Sequence, residues 1–226
     1  MTNVYAIEAS SPDQSITSVV LVDAGKPGNG EAILERFESL GVRRADVTAL
    51  IITHAHRDHA GSAAELQALL DIPVLVHELD AEEAREGSGS AVRPNGPMAF
   101  AGWAFVGGSF PAFEPDRLVT TEMLLTEYGI PGSLVPTPGH TDGSQSVLLE
   151  TGDAIVGDLL AGSVFSTTSP RVAFYTSADT EDKRRAANAQ AEQSLSALIE
   201  RGAAVLHTGH GGPIDASSRA DLKNDG

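Results

Sequence analysis

His54, His56, Asp58 and His59 crowd into six consecutive positions of the stretch Thr53-His54-Ala55-His56-Arg57-Asp58-His59-Ala60-Gly61. Imidazole nitrogens and carboxylate oxygens are the ligands that borderline divalent metals such as zinc accept. The chain has seven histidines, and three of them stand here. Metal coordination is the chemistry this density offers; a polar loop that happens to be rich in histidine is the plain alternative. Three later positions repeat the theme. His140 lies in Pro138-Gly139-His140-Thr141-Asp142-Gly143-Ser144, Asp158 closes Val156-Gly157-Asp158, and His210 sits in Gly209-His210-Gly211. Each sets a ligand-type side chain beside glycine, which lets backbone approach closely.

The surrounding elements decide whether these residues can meet. Val47 to Ile52 is a short, β-branched apolar run that reads as a buried strand, and Leu66, Leu69 and Leu70 mark a helix after the cluster. The cluster therefore sits on a strand-to-helix turn, where side chains converge outside a sheet. Val4 to Ala9 and Ile16 to Val22 read as strands, and Glu31 to Leu40 as a helix buried through Ile33, Leu34 and Phe37. Ile72 to Val76 reads as a strand and Asp80 to Glu86 as an acidic helical piece. This alternation predicts an α/β layered fold. Further strands are expected around Leu118-Val119, Met123 to Thr126, Ser133 to Pro136, Ser146 to Leu149 and Ala154 to Val156, paired as an antiparallel sheet. Asp179 is expected to cap a helix over Thr180 to Arg201, and Ala204 to Leu206 to form the last strand. No linker or repeat divides the chain, so one domain over 1–226 is expected.

In this order, the H-x-H-x-D-H stretch, the His140 turn, Gly157-Asp158 and Gly209-His210-Gly211 resemble the metallo-β-lactamase superfamily from Asp23 to Pro213. The resemblance implies a four-layer αββα sandwich with the site at the edge between two sheets. It implies that His54, His56 and His140 hold one metal, that Asp58, His59 and His210 hold a second, and that Asp158 bridges both. Asp23 matches the family's structural brace beneath the site. Two divalent ions are implied, zinc first, with iron or manganese as alternatives. Two bridged ions would share a hydroxide of near-neutral pKa that attacks a carbonyl, with Asp58 orienting it or relaying its proton. His77 is expected at a helix start or near the site, and His207 as a neighbour of the site or an alternative ligand to His210.

Composition narrows the partners. A net charge of −16 and the lack of a basic block disfavour nucleic acid. No apolar run is long enough for a membrane span. The first residues lack a secretory signal core and cysteine is absent, so a cytoplasmic location is expected, without disulfides, thiolate ligands or a cysteine nucleophile. Phe100, Trp103, Phe105, Phe110 and Phe113, with Phe165, Phe174 and Tyr175 farther on, are read as walls of a pocket for a small, partly apolar substrate; packing or an oligomer contact is the alternative for the 100–113 stretch. Oligomeric state, monomer or homodimer, is left open.

Among branches of the resembled family, cysteine-bearing β-lactamases are excluded, and other β-lactamases generally lack an aspartate like Asp158. Glu replaces the counterpart of His56 in di-iron flavoproteins, and nucleases carry basic surface or extra domains. Glyoxalase II-like hydrolases and acyl-homoserine lactonases fit, although the basic C-terminal helices that grip glutathione have no counterpart here. The expected activity is hydrolysis of an ester, thioester or lactone. An iron persulfide dioxygenase is the alternative, ahead of a β-lactam hydrolase or a non-catalytic sensor.

Overall fold

The structure is a computed structural model and describes residues 2–10, 16–88, 93–94, 108–160, 175–176 and 180–218. Its strands are β1 (Tyr5–Ser10), β2 (Ile16–Val22), β3 (Val47–Ile51), β4 (Val74–His77), β5 (Arg93–Pro94), β6 (Arg117–Val119), β7 (Met123–Leu124), β8 (Gly132–Pro136), β9 (Gln145–Leu149), β10 (Asp153–Gly157), β11 (Tyr175–Thr176), β12 (Val205–Thr208) and β13 (Ile214–Asp215). The helices are α1 (Gly30–Ser39), α2 (Ala63–Leu70), α3 (Ala81–Glu86) and α4 (Glu181–Glu200).

Two mixed sheets face each other. The first runs β1-β2-β3-β4-β6 and the second β13-β12-β10-β9-β8-β7. The two-residue side-chain period of a strand explains the layering. Val20 and Val22 of β2, Ala49 and Ile51 of β3, and Leu75 of β4 point between the sheets, where they meet Leu134, Val147 and Ile155. Their neighbours Val19, Leu21, Leu50 and Val74 point outward, packing with Leu34 and Leu66 of α1 and α2. On the far side, Ala154, Val156 and Leu206 pack against Ala191, Leu195 and Leu198 of α4. The layers are α, β, β, α. Because β2 and β3 are buried on both faces, their near-continuous apolar runs are what such strands require.

Several details depart from the sequence reading. β6 pairs parallel to β4 and so closes the first sheet, not the second; a three-residue strand with one inward valine carries no signal of its partner. Leu69 is 46% exposed, because the buried stripe of the short α2 runs through Ala63 and Leu66 toward Leu70 and leaves Leu69 off its edge. α4 is capped by Thr180, whose hydroxyl accepts from the Lys183 amide; Asp179 lies outside the described residues. β12 is not the last strand, since β13 folds back antiparallel on it. Phe110 and Phe113 are core residues beneath α3, tied by their amides to the carbonyls of Gly87 and Ala84, as the packing alternative for this stretch expects. Phe100, Trp103, Phe105, Phe165 and Phe174 lie outside the described residues, and Tyr175 is described only as backbone paired with Pro94. Among the described residues, no helix is long and apolar enough to cross a membrane.

Candidate metal centre

β3 delivers the chain to the edge between the sheets, and a compact turn follows. Its backbone is closed by the amides of His59 and Ala60 donating to the His56 carbonyl at 3.0 and 2.8 Å. It is stitched to the end of β2 by Ala24 N to His59 O at 2.6 Å and Gly61 N to Gly25 O at 3.0 Å. The turn is buried except at Arg57, and His59 is fully inaccessible. His140 arrives on the loop from β8 to β9, Asp158 just past β10, and His210 just past β12. All seven sequence-predicted ligands thus converge.

Their polar atoms face one another. Nε2 of His140 is 3.0 Å from Nδ1 of His56. Nε2 of His59 is 3.3 Å from Asp158 Oδ1, without the alignment of a hydrogen bond. Nε2 of His210 lies 3.3 Å from Asp58 Oδ2 and 3.4 Å from Asp158 Oδ2. Three sets of potential ligand atoms each lie within 4.8 Å of one another: His54, His56 and His140; His54, His59 and Asp158; Asp58, His59 and His210. The buried atoms His54 Nε2, His59 Nε2, His140 Nδ1 and Asp158 Oδ1 have no hydrogen-bond partner among the described residues. Buried polar atoms are rarely left so. A cation between them would satisfy His54 Nε2, His59 Nε2 and Asp158 Oδ1, so the donor set fits divalent metal.

The tautomers agree. Asp23 Oδ2 stands 2.7 Å from His59 Nδ1, and a carboxylate can only accept, so Nδ1 carries a proton and Nε2 is the nitrogen left to face a metal. Thr53 donates its hydroxyl to Asp23, at 2.9 and 3.0 Å from the two carboxylate oxygens, and therefore accepts from His54 Nδ1 at 3.1 Å. The Thr53 amide also donates to Asp23 at 2.8 Å. Asp23 thus braces two of the histidines from below, one directly and one through Thr53, with its own backbone in the left-handed region at φ 65°.

Charge divides the cluster. Burial, then neighbouring imidazoles, depresses the basicity of His54 and of His56, the latter to about 3. Burial likewise lowers His140 against the pull of Asp158. These three are neutral bases. Burial works against His59 too, but Asp158, Asp23 and Asp58 together overcome it and raise its pKa. Asp158, above all, raises His210 to about 10. For Asp158 and Asp58 burial favours the acid form, and the facing imidazoles outweigh it and hold both pKa values down. The aspartate-rich half is therefore a ready electrostatic seat for a cation, with protons standing there in its absence.

Glycine is needed where backbone meets this cluster. A Cβ on Gly209 would overlap Asp158 Oδ1 and come 2.6 Å from His59 Cε1. The other candidates fall elsewhere. His77 ends β4 and accepts from the Leu79 amide through Nδ1. His207 pairs with Asp153 at 2.8 Å, remote from the cluster. Arg57 donates through Nε to the Ser109 carbonyl at 3.1 Å.

Three contributors were not found by sequence reasoning. Thr2 donates its hydroxyl to Asp58 Oδ2 at 2.8 Å. Asn3 secures the loop of His210 from the same segment, through its amide to Gly209 O and its side chain to Thr208 O and Gly211 O, each at 2.8 Å. Gln145, buried at the start of β9, donates to the Ile52 carbonyl at 2.8 Å. Such long-range polar contacts leave no periodicity to read.

The sequence matches the family model of the metallo-beta-lactamase superfamily over residues 1–210. YflN of Bacillus subtilis (strain 168), named a probable metallo-hydrolase, is 28% identical over 240 residues, covering 97% of this chain and 84% of YflN. YobT of the same organism is 32% identical over 167 residues, covering 72% of this chain and 61% of YobT. Among solved structures, TTHA1623 in a di-iron-bound form matches with a TM-score of 0.64 at 26% identity, over 97% of this chain and 92% of that one. The B3 metallo-beta-lactamase BLEG-1 matches with a TM-score of 0.66 at 22% identity, over 97% and 91%, a likeness of fold alone. With four layers, the ordered ligand-type residues and a match spanning nearly its whole length, the chain belongs to the metallo-beta-lactamase superfamily.

Proposed function

We propose that the protein is a metal-dependent hydrolase with two metal positions, cleaving an ester, thioester or lactone of a small, partly apolar substrate. One observation carries this: seven buried or half-buried ligand-type side chains turn their polar atoms toward one another, several of them without another partner among the described residues. His54, His56 and His140 would hold one ion and Asp58, His59 and His210 the other, with Asp158 between them. Bound there, the ions supply Lewis acidity and bring the pKa of water near neutrality.

The protein's own groups do the rest. Asp23 and Thr53 hold the His59 and His54 protons on Nδ1, so that each Nε2 is the nitrogen that would meet an ion. Asp158 presents its carboxylate to both halves, 3.3 Å from His59 and 3.8 Å from His140. Asp58, anchored by Thr2, orients the attacking water and relays its proton. The charge of −16 supports a small-molecule substrate over a polyanion, and the cysteine-free composition fits a cytoplasmic setting.

The alternative metal chemistry is a single iron ion oxidising a persulfide; the di-iron-bound form of TTHA1623 supports only that iron can occupy a related site, not that reaction. Metal analysis and a substrate screen separate the two. Zinc at about two ions per chain, with turnover on esters, thioesters or lactones, supports hydrolysis. Iron with oxygen uptake on a persulfide overturns it. A fully loaded protein inert toward that panel and toward β-lactams would assign the fold a non-catalytic role.

A further inference from the structure

Asp80 is a buried carboxylate, 4% exposed, that none of the steps above uses. It stands at the N-cap of α3, where an aspartate ordinarily accepts from the amides of its own helix. Here it makes no such bond. Its carboxylate turns away from the helix and is taken up by two other segments. Oδ2 accepts from the Ala55 amide at 2.9 Å and from the Thr141 hydroxyl at 3.0 Å. Oδ1 accepts from the Gly143 amide at 3.1 Å. Ala55 lies between His54 and His56; Thr141 and Gly143 follow His140. Gly143 has to be glycine for this to happen, since a Cβ there would overlap Asp80 Oδ1.

Burial makes this carboxylate costly, and with Glu83 nearby its pKa is pushed up to about 6. A buried charge is kept where its hydrogen bonds offset that cost. All three bonds go to the two turns that carry the three-histidine half of the site. From these contacts we infer that Asp80 is a positioning residue, joining the His54–His56 turn to the His140 loop and setting the spacing at which the three imidazoles can share one ion. None of its three hydrogen bonds reaches Asp58, His59 or His210; Asp23 bonds His59 and Thr2 bonds Asp58. The inference rests on the assignment of His54, His56 and His140 as ligands.

The test isolates each half with a background variant. In His210→Ala protein the three-histidine half remains; in His140→Ala protein the other half does. Zinc affinity is measured in each by competition with a chromophoric chelator, and the visible spectrum is recorded with cobalt(II). Adding Asp80→Ala to the His210→Ala background is expected to weaken zinc about ten- to a hundredfold, the usual scale for groups that orient ligands, and to change the cobalt spectrum. Adding it to the His140→Ala background should change neither. Asp80→Asn, which folds with a smaller perturbation and retains one acceptor oxygen, should give an intermediate loss. Equal loss in both halves would reduce Asp80 to a general structural role, and unchanged affinity in the His210→Ala background would overturn the inference outright. If His54→Ala leaves zinc binding intact in the His210→Ala background, it is the ligand assignment that fails, and Asp80 falls with it.

Discussion

Replacing Asp23 with asparagine changes a single polar atom, yet it should weaken the hold on one metal ion. The carboxylate of Asp23 accepts from His59 Nδ1 at 2.7 Å and from the Thr53 amide at 2.8 Å. In Asp23→Asn the amide oxygen keeps Thr53, whose N–H can only donate, and the NH₂ group must face His59 Nδ1. That nitrogen then becomes the acceptor and the imidazole proton is left on Nε2, the atom 3.3 Å from Asp158. The left-handed backbone at φ 65° is tolerated by asparagine, so strain does not confuse the result. Exchanging a charge-assisted bond for a neutral one costs folding about 1–2 kcal/mol. Metal binding suffers more, because forcing the proton back to Nδ1 sets it against an amide N–H. A loss of about 1.4–2.7 kcal/mol, or ten- to a hundredfold in affinity, is expected for the half that contains His59. Chelator competition on the two halves, beside denaturant unfolding of the metal-free protein, measures both effects. Asp23→Asn protein that retains both ions at wild-type affinity would refute the assignment of the His59 tautomer and of Asp23 as its brace.

Other outcomes follow from the same geometry. Asp158→Ala should lose the bridge between the halves and reduce turnover far more than substrate binding, so kcat falls with KM nearly constant; unchanged turnover at full metal content would exclude a dinuclear mechanism. Gly209→Ala should expel metal and destabilise by about 1–3 kcal/mol as the new methyl meets Asp158 and His59, read from melting with and without zinc. Thr2→Val should weaken the Asp58 half by about tenfold while Thr2→Ser preserves it, by the same chelator competition. In metal-free protein the pKa of His210 is raised to about 10. Its stabilising contribution is therefore complete below its unfolded pKa of about 6.5 and lost as pH rises through 10. Metal entry must displace this proton, so apparent affinity should climb with pH across the neutral range, with proton release visible by calorimetry in buffers of different ionisation enthalpy.

The parts of the site legible in the sequence are those written locally. His54 to His59 stand directly after a strand whose apolar run is unmistakable, and His140, Asp158 and His210 stand beside glycines at strand ends. The α/β layering follows from the alternation of strands with helices along the chain, and the four-layer sandwich from the resemblance the ordered motifs carry. What was hidden depends on partners distant in sequence. Asp80 reads as an ordinary helix cap, and only the folded chain shows its carboxylate turned toward Ala55 and Gly143. Thr2 meets Asp58 across 56 positions, and nothing near Thr2 announces it. β6 is too short to reveal that β4 is its neighbour. Phe110 and Phe113 have the composition of a pocket wall, yet they pack into the core under α3, because aromatic content alone does not say which side of a sheet a segment covers.

The central claim is that one compact cluster holds two ions with Asp158 between them. Anomalous diffraction from crystals of the zinc-loaded protein tests it most directly. The result that supports the claim is two peaks, one enclosed by His54, His56 and His140 and the other by Asp58, His59 and His210, both in contact with the Asp158 carboxylate. A single peak, or peaks away from these residues, would contradict it.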